Sequence, residues 1–216
     1  MLSEVALRIS FLHRHRERCI MGVCEQKGTT FMGRELELKY RADDAQIAAI
    51  RQEYGPFHDI TMETTYYDTP QRLMASRRET LRRRYENGVA VFALKTYLPD
   101  GSHGEWETEA ASFPEAMKKL SAMGAPNLPD IDTLVPICGA AFKRSCCLLS
   151  VEGGKIELAL DQGILTGSGK EIPLQEVELE LKEGADEVLL SFVPKFAARF
   201  ALTEEPLSKF ARAKAL

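Results

Sequence analysis

The chain has 216 residues, enough for one large domain or two small ones with a real core, and its 44% apolar content excludes general disorder. A formal net charge of −4 gives no overall attraction for nucleic acid or an anionic membrane, and no apolar run reaches membrane-spanning length. Five cysteines (Cys19, Cys24, Cys138, Cys146 and Cys147) show neither metal-ligand spacing nor a disulfide framework, and read as reduced thiols of a cytoplasmic protein.

Residues 1–31 read as a leader. Arg8-Ile9-Ser10-Phe11-Leu12-His13-Arg14-His15-Arg16 is basic and lacks an apolar stretch of signal-peptide length. Met32 looks like a second start. The expected organisation is therefore a leader over 1–31 outside the fold and a single domain over 32–216. That domain opens with Arg34-Glu35-Leu36-Glu37-Leu38-Lys39. As a strand it puts Glu35, Glu37 and Lys39 on one face and Leu36 and Leu38 on the other.

A helix follows from the Asp43 cap through Ile50, stopped by Gly55-Pro56. Strands are expected at 63–68, 80–85 and 89–96, the last two joined by the hairpin turn Asn87-Gly88. Glu105-Trp106-Glu107-Thr108-Glu109 alternates again. Ser112 caps a helix that ends at Gly124, and the Pro-rich stretch 127–139 reads as loop with a short helix. Strands resume at 141–151, 155–161 and 176–182, with turns at Gly153-Gly154, Gln162-Gly163 and Gly167-Ser168-Gly169. The end reads as helical over 186–202, broken or kinked by Pro194, and over 206–213.

One charged strand face is ordinarily the wet face of a sheet. Here the pattern recurs, and the signs segregate by strand. Carboxylates fall at Glu35, Glu37, Glu107, Glu109, Asp161, Glu176, Glu178 and Glu180, and cations at Lys39, Arg82, Arg84, Lys95 and Arg144. Like charges in a row repel unless cations sit among them. Helices are available to cover the apolar faces, which turns the charged faces inward and closes the strands into a barrel or tunnel with a polar lumen. Carboxylate oxygens suit Mg²⁺ or Mn²⁺, and Arg and Lys suit phosphate. Together they describe a metal-bound polyphosphate, and hydrolysis or transfer at phosphorus.

Glu35-Leu36-Glu37-Leu38-Lys39 is an ExExK signature, and the chain resembles the CYTH superfamily, the triphosphate tunnel metalloenzymes. Tyr66-Tyr67-Asp68-Thr69-Pro70, Leu81-Arg82-Arg83-Arg84, Lys95, Ile156 to Gly163, Glu176 to Glu180 and Leu207 to Arg212 fall in the family's order. The later runs look most like the bacterial inorganic triphosphatases. The resemblance implies an α+β fold: an eight-stranded antiparallel tunnel with a charged lumen, helices outside and a C-terminal plug helix. It implies a catalytic centre at Glu35, Glu37 and Lys39, and Mg²⁺ or Mn²⁺ on Glu35, Glu37, Asp161, Glu178 and Glu180. Lys39, Arg82, Arg84, Lys95, Arg144 and Lys209 would bind the phosphates, with Glu107, Glu109 and Glu176 as further ligand candidates. Glu105 departs from the family, which often has Arg there.

The implied reaction is hydrolysis of tripolyphosphate to pyrophosphate and phosphate by a metal-activated water. The partner is a small-molecule triphosphate, with no nucleic acid and no membrane. Three alternatives use the same lumen. A class IV-like adenylate cyclase must also hold a base, for which the sequence shows no pocket. A thiamine triphosphatase wants an aromatic platform, for which Trp106 is the candidate. A non-catalytic polyphosphate-binding module leaves the carboxylates without a purpose.

Overall fold

The period-two alternation folds into one large antiparallel sheet in a computed structural model of the chain. The structure describes residues 9–14, 31–97 and 103–216, with side chains over 36–96 and 104–216. In chain order the elements are β1 (Ile9–Arg14), β2 (Phe31–Arg41), α1 (Asp44–Glu53), β3 (His58–Asp68), α2 (Leu73–Ser76), β4 (Thr80–Glu86), β5 (Val89–Tyr97) and β6 (His103–Glu109). Then come α3 (Phe113–Ala122), a 3₁₀ turn (Ile131–Thr133), β7 (Val135–Val151), β8 (Gly154–Gly167), β9 (Lys170–Glu183), α4 (Asp186–Arg199), β10 (Thr203–Glu204) and α5 (Lys209–Lys214).

The strands run β1-β2-β9-β8-β7-β3-β4-β5-β6 across the sheet, and β10 pairs with β2. The sheet curls like a tunnel, and its two edge strands, β1 and β6, come within 8 Å of each other between Cα atoms. The eight strands β2 to β9 form the expected antiparallel, α+β tunnel, with β1 and β10 as additions. Of residues 1–31, those described are Ile9–Arg14, which form β1, and Phe31, where β2 begins; the rest of the leader, with Cys19 and Cys24, lies outside the described residues. Among the described residues no helix is long and apolar enough to cross a membrane.

Local chemistry sets the helix starts. Asp43 and Gln46 form a capping box at α1, with both bonds at 2.8 Å. Buried Asp68 accepts from the amides of Thr69, Met74 and Ala75, which makes the Tyr-Tyr-Asp-Thr-Pro run the start of α2. Apolar strand faces then find cover outside. Ile47 and Ile50 of α1 and Leu189, Val193 and Phe196 of α4 pack on Leu36, Leu158, Leu160, Val177 and Leu179. Phe113 and Ala116 of α3 cover Phe92. Trp106 packs in the neighbouring cluster with Met74, Leu81 and Leu94, so the candidate platform for thiamine sits on the outer face.

α5 is the exception, because it lies inside. Its Phe210 and Ala213 pack with Met62, Tyr66, Ala140 and Phe142, which share the inward face with Arg82, Arg84 and Arg144. This is the plug at one end of the tunnel.

Three local expectations change. β8 runs unbroken through Gln162-Gly163, where the sequence suggested a turn. Gly163 serves close approach instead, since a side chain there would collide with Phe142 and the carbonyl of Ala141. α4 runs as one helix with Pro194 inside it. Residues 58–62 and 170–175 are also strand, because their pairing with β7 and β8 overrides weak local pattern.

Leu158 is fully buried under α1 and α4. Leu158→Ala should lower the unfolding free energy by about 2–5 kcal/mol, the cost of a buried leucine and the cavity left behind. Urea denaturation with an unchanged m value checks this.

Candidate active site

Register builds an acidic wall from three neighbouring strands. Glu37 of β2 pairs with Glu180 of β9, and Glu180 with Glu157 of β8, so three glutamates stand in a row. On the next rung Lys39 stands beside Glu178. On the one after, Arg41, Glu176, Asp161 and Arg144 line up across β2, β9, β8 and β7. Each rung is two residues from the last, so all face inward.

Asp161, Glu176 and Glu178 hold carboxylate oxygens within 4.8 Å of one another, close enough for one cation. The cation among them in this structure is an ammonium. Lys209 Nζ lies 2.8 Å from Asp161, 2.6 Å from Glu176 and 2.5 Å from Glu178. Arg144 holds Asp161 through two bonds of 2.8 and 2.7 Å and also donates to Glu178. Arg212, one helical turn beyond Lys209, donates to Glu176 and reaches Glu205 at 3.3 Å.

These partners decide the protonation states. Burial opposes the charge on Glu178, but Arg144 and Lys209 outweigh it and hold its carboxyl well below the usual range. Burial pushes Glu176 up to about 8, with Glu178 adding to it and Lys209 and Arg212 opposing it. Burial also opposes the Lys209 charge, yet Asp161, Glu178 and Glu176 raise its pKa well above the ordinary lysine value. Glu37 is different. Burial and then Glu178 push its carboxyl up, and Lys39 stands 3.5 Å away. Glu180 has Lys182 at 2.5 Å, and Glu157 shares that lysine at 3.4 Å.

The facing wall comes from β4, β5 and β6. Arg82 reaches Glu107 at 2.9 Å and Glu105 at 3.2 Å. Arg84 pairs with Glu86 and lies 3.6 Å from Glu107. Lys95 lies 2.5 Å from Glu105. Burial opposes the charge on Arg82, but Glu105 and Glu107 raise its pKa above the ordinary arginine value. Burial likewise opposes the Glu107 charge, and Arg82 and Arg84 outweigh it and lower its pKa.

Of the residues singled out in the sequence, Glu37, Lys39, Arg144, Asp161, Glu176, Glu178, Glu180 and Lys209 come together on one wall. Arg82, Arg84, Lys95 and Glu107 gather on the other. Glu109 is exposed at the end of β6, and the side chain of Glu35 lies outside the described residues. Arg83 faces outward over the rings of Tyr67 and Tyr85. Cys146 and Cys147 do point to opposite faces: Cys146 Sγ lies 2.9 Å from His58 Nε2, and Cys147 packs with the outer core. The sequence reading gave no lumen role to Glu86, Glu157, Lys182, Glu205 or Arg212. Strict alternation was signal enough for Glu86, Glu157 and Lys182, and the i, i+3 spacing from Lys209 for Arg212. Nothing local marks Glu205.

The donor set is made of hard carboxylate oxygens, which fit a divalent cation such as Mg²⁺. The charge count fits as well. Lys39, Arg82, Arg84, Lys95, Arg144, Lys182, Lys209 and Arg212 are each already matched to a carboxylate, so a polyphosphate needs added positive charge to enter.

The CYTH domain model matches residues 33–213. An inorganic triphosphatase from Haemophilus influenzae is 31% identical over 147 residues, which cover 62% of this chain and 40% of that protein. The alignment thus spans well under half of the relative's length. A Hippeastrum protein described as a candidate adenylyl cyclase with a dominant triphosphatase activity superposes with a TM-score of 0.57 at 21% identity, covering 84% of this chain and 95% of that one. A Pyrococcus horikoshii protein superposes with a TM-score of 0.55 at 19% identity, covering 82% and 97%.

Lys209→Met should lower the unfolding free energy by about 3–5 kcal/mol in chelator, because it removes the one ammonium shared by three buried carboxylates and leaves them only Arg144 and Arg212. Added Mn²⁺ should stabilise this variant more than the wild type, as read by denaturation with and without the metal.

Proposed function

Because the chain belongs to the CYTH domain family, we propose that it is a triphosphatase that hydrolyses inorganic triphosphate to pyrophosphate and phosphate. The observation that carries this reading is the pair of walls: a row of carboxylates on β2, β9 and β8 faces a set of Arg and Lys on β4 and β5 in one lumen. A relative named inorganic triphosphatase supports the substrate class.

Glu35, Glu37, Asp161, Glu178 and Glu180 would hold Mg²⁺ or Mn²⁺. The bound cation supplies neutralising charge at phosphorus and lowers the pKa of a water. Asp161 has a second task, because its two oxygens orient Arg144 and Lys209. Arg82, Arg84, Lys95, Arg144, Lys39 and Lys209 grip phosphate oxygens and keep the chain in line for attack. The water oxygen bonds to the terminal phosphorus, the bridging P–O bond breaks, and pyrophosphate leaves. α5 closes one end with Phe210 against Tyr66, ring centroids 4.9 Å apart, so the substrate enters from the other.

The test is phosphate and pyrophosphate release from tripolyphosphate, ATP and thiamine triphosphate, each with Mg²⁺, with Mn²⁺ and with chelator. Metal-dependent turnover with tripolyphosphate well ahead is expected. Cyclic AMP and pyrophosphate from ATP would make the protein a cyclase, and binding without turnover would make it a polyphosphate module. Glu37→Gln should abolish turnover while far-UV circular dichroism stays native. Arg82→Ala should raise KM about tenfold or more, the loss of one charge-assisted phosphate contact, and an unchanged KM removes it from the binding set.

A further inference from the structure

We propose that Glu105 is a specificity-determining residue: it cancels the charge of the phosphate-gripping wall, so that the tunnel admits a triphosphate together with its divalent cation and rejects the bare anion. This rests on the triphosphatase reading above.

Glu105 is a built part of the wall. Its side chain is 2% exposed, and it stands directly opposite Lys95 in the β5–β6 ladder. One oxygen lies 2.5 Å from Lys95 and the other 3.2 Å from Arg82. Glu107 takes Arg82 and Arg84, and Glu86 takes Arg84 again. Three cations therefore meet three carboxylates, and the wall is neutral before any ligand arrives. Arg82 Nε is buried without a hydrogen-bond partner among the described residues, a donor that a phosphate oxygen can satisfy.

A bare triphosphate that approaches Lys95 and Arg82 meets the Glu105 carboxylate on the same cations, in a place where water screens little. A triphosphate that carries a divalent cation brings less negative charge, and the acidic wall opposite receives that cation. Glu105 touches the cations rather than the reacting atoms. It is a positioning residue that sets which charge state of the ligand binds.

The experiment is calorimetric titration of inorganic triphosphate into the full chain, in chelator and in Mn²⁺. The wild type should bind well only with Mn²⁺. Glu105→Gln should bind the bare anion about tenfold or more tighter than the wild type, the effect of removing one like charge at short range in a poorly screened site, and should gain far less in Mn²⁺. Its KM should fall without a matching rise in kcat. Equal binding of the bare anion by both proteins, or an equal gain in both buffers, overturns the proposal. If Glu105→Gln does not fold, Glu107→Gln, whose carboxylate is 31% exposed, removes the other carboxylate on Arg82, the cation it shares with Glu105, and absence of a gain there overturns the proposal equally. The titrations need no turnover, so failure of the triphosphatase reading registers separately in the release assay.

Discussion

Charge taken out of water has to be matched, and most of this structure follows from that requirement. An unpaired buried carboxylate costs several kcal/mol, whereas a well-placed cation and extra hydrogen bonds offset the penalty. Asp161 and Glu176 are fully buried, and Glu178 nearly so. Of the strand cations on these rungs, Arg144 reaches Asp161 and Glu178, while Arg41 pairs with Glu205 and Lys39 with Glu37, which leaves too little for three acids. α5 brings the other two cations, Lys209 and Arg212, in from the C-terminus. The plug and the tunnel are thus interdependent: the helix has six residues and few apolar contacts of its own, and the acids need its side chains.

The same requirement explains why the sheet appears inside out. Its Leu, Val and Ile faces turn outward and are covered by α1, α3 and α4. The inward faces of β2, β4 and β9 carry charge on alternate residues, and a curled sheet lets those faces neutralise their neighbours across the rungs. Packing and electrostatics are therefore satisfied on opposite sides of one layer. Where the two meet, at the plugged end, Met62, Tyr66, Phe142 and Phe210 form an apolar floor, and Lys209 stands 5.3 Å over the Phe142 ring.

A lumen whose charges are already paired can bind a charged ligand only by exchanging partners. Cations now held by Glu86, Glu105 and Glu107 have to meet phosphate, and the carboxylates of the opposite wall have to meet added positive charge. Binding energy then depends on differences between pairings rather than on the number of charges, which makes the identity of each neutralising carboxylate important.

Much of this was legible in the chain. Period-two alternation on Glu35 to Lys39, Glu105 to Glu109 and Glu176 to Lys182 showed strands with one charged face, and segregation of sign showed that these faces would meet one another. Cap residues Asp43 and Ser112 were local signals because they act within three residues. What stayed hidden depended on distance in space. Gly163 looked like a turn because its collision partner, Phe142, is a neighbour only across the ladder. The sequence gave neither Glu157 nor Glu205 a lumen role, since register with Glu180 and the return of Arg212 decide their surroundings. Alternation by itself determined which side chains share a face; only the tertiary structure decided which acid meets which cation, because pairing energies depend on separations that no spacing along the chain specifies.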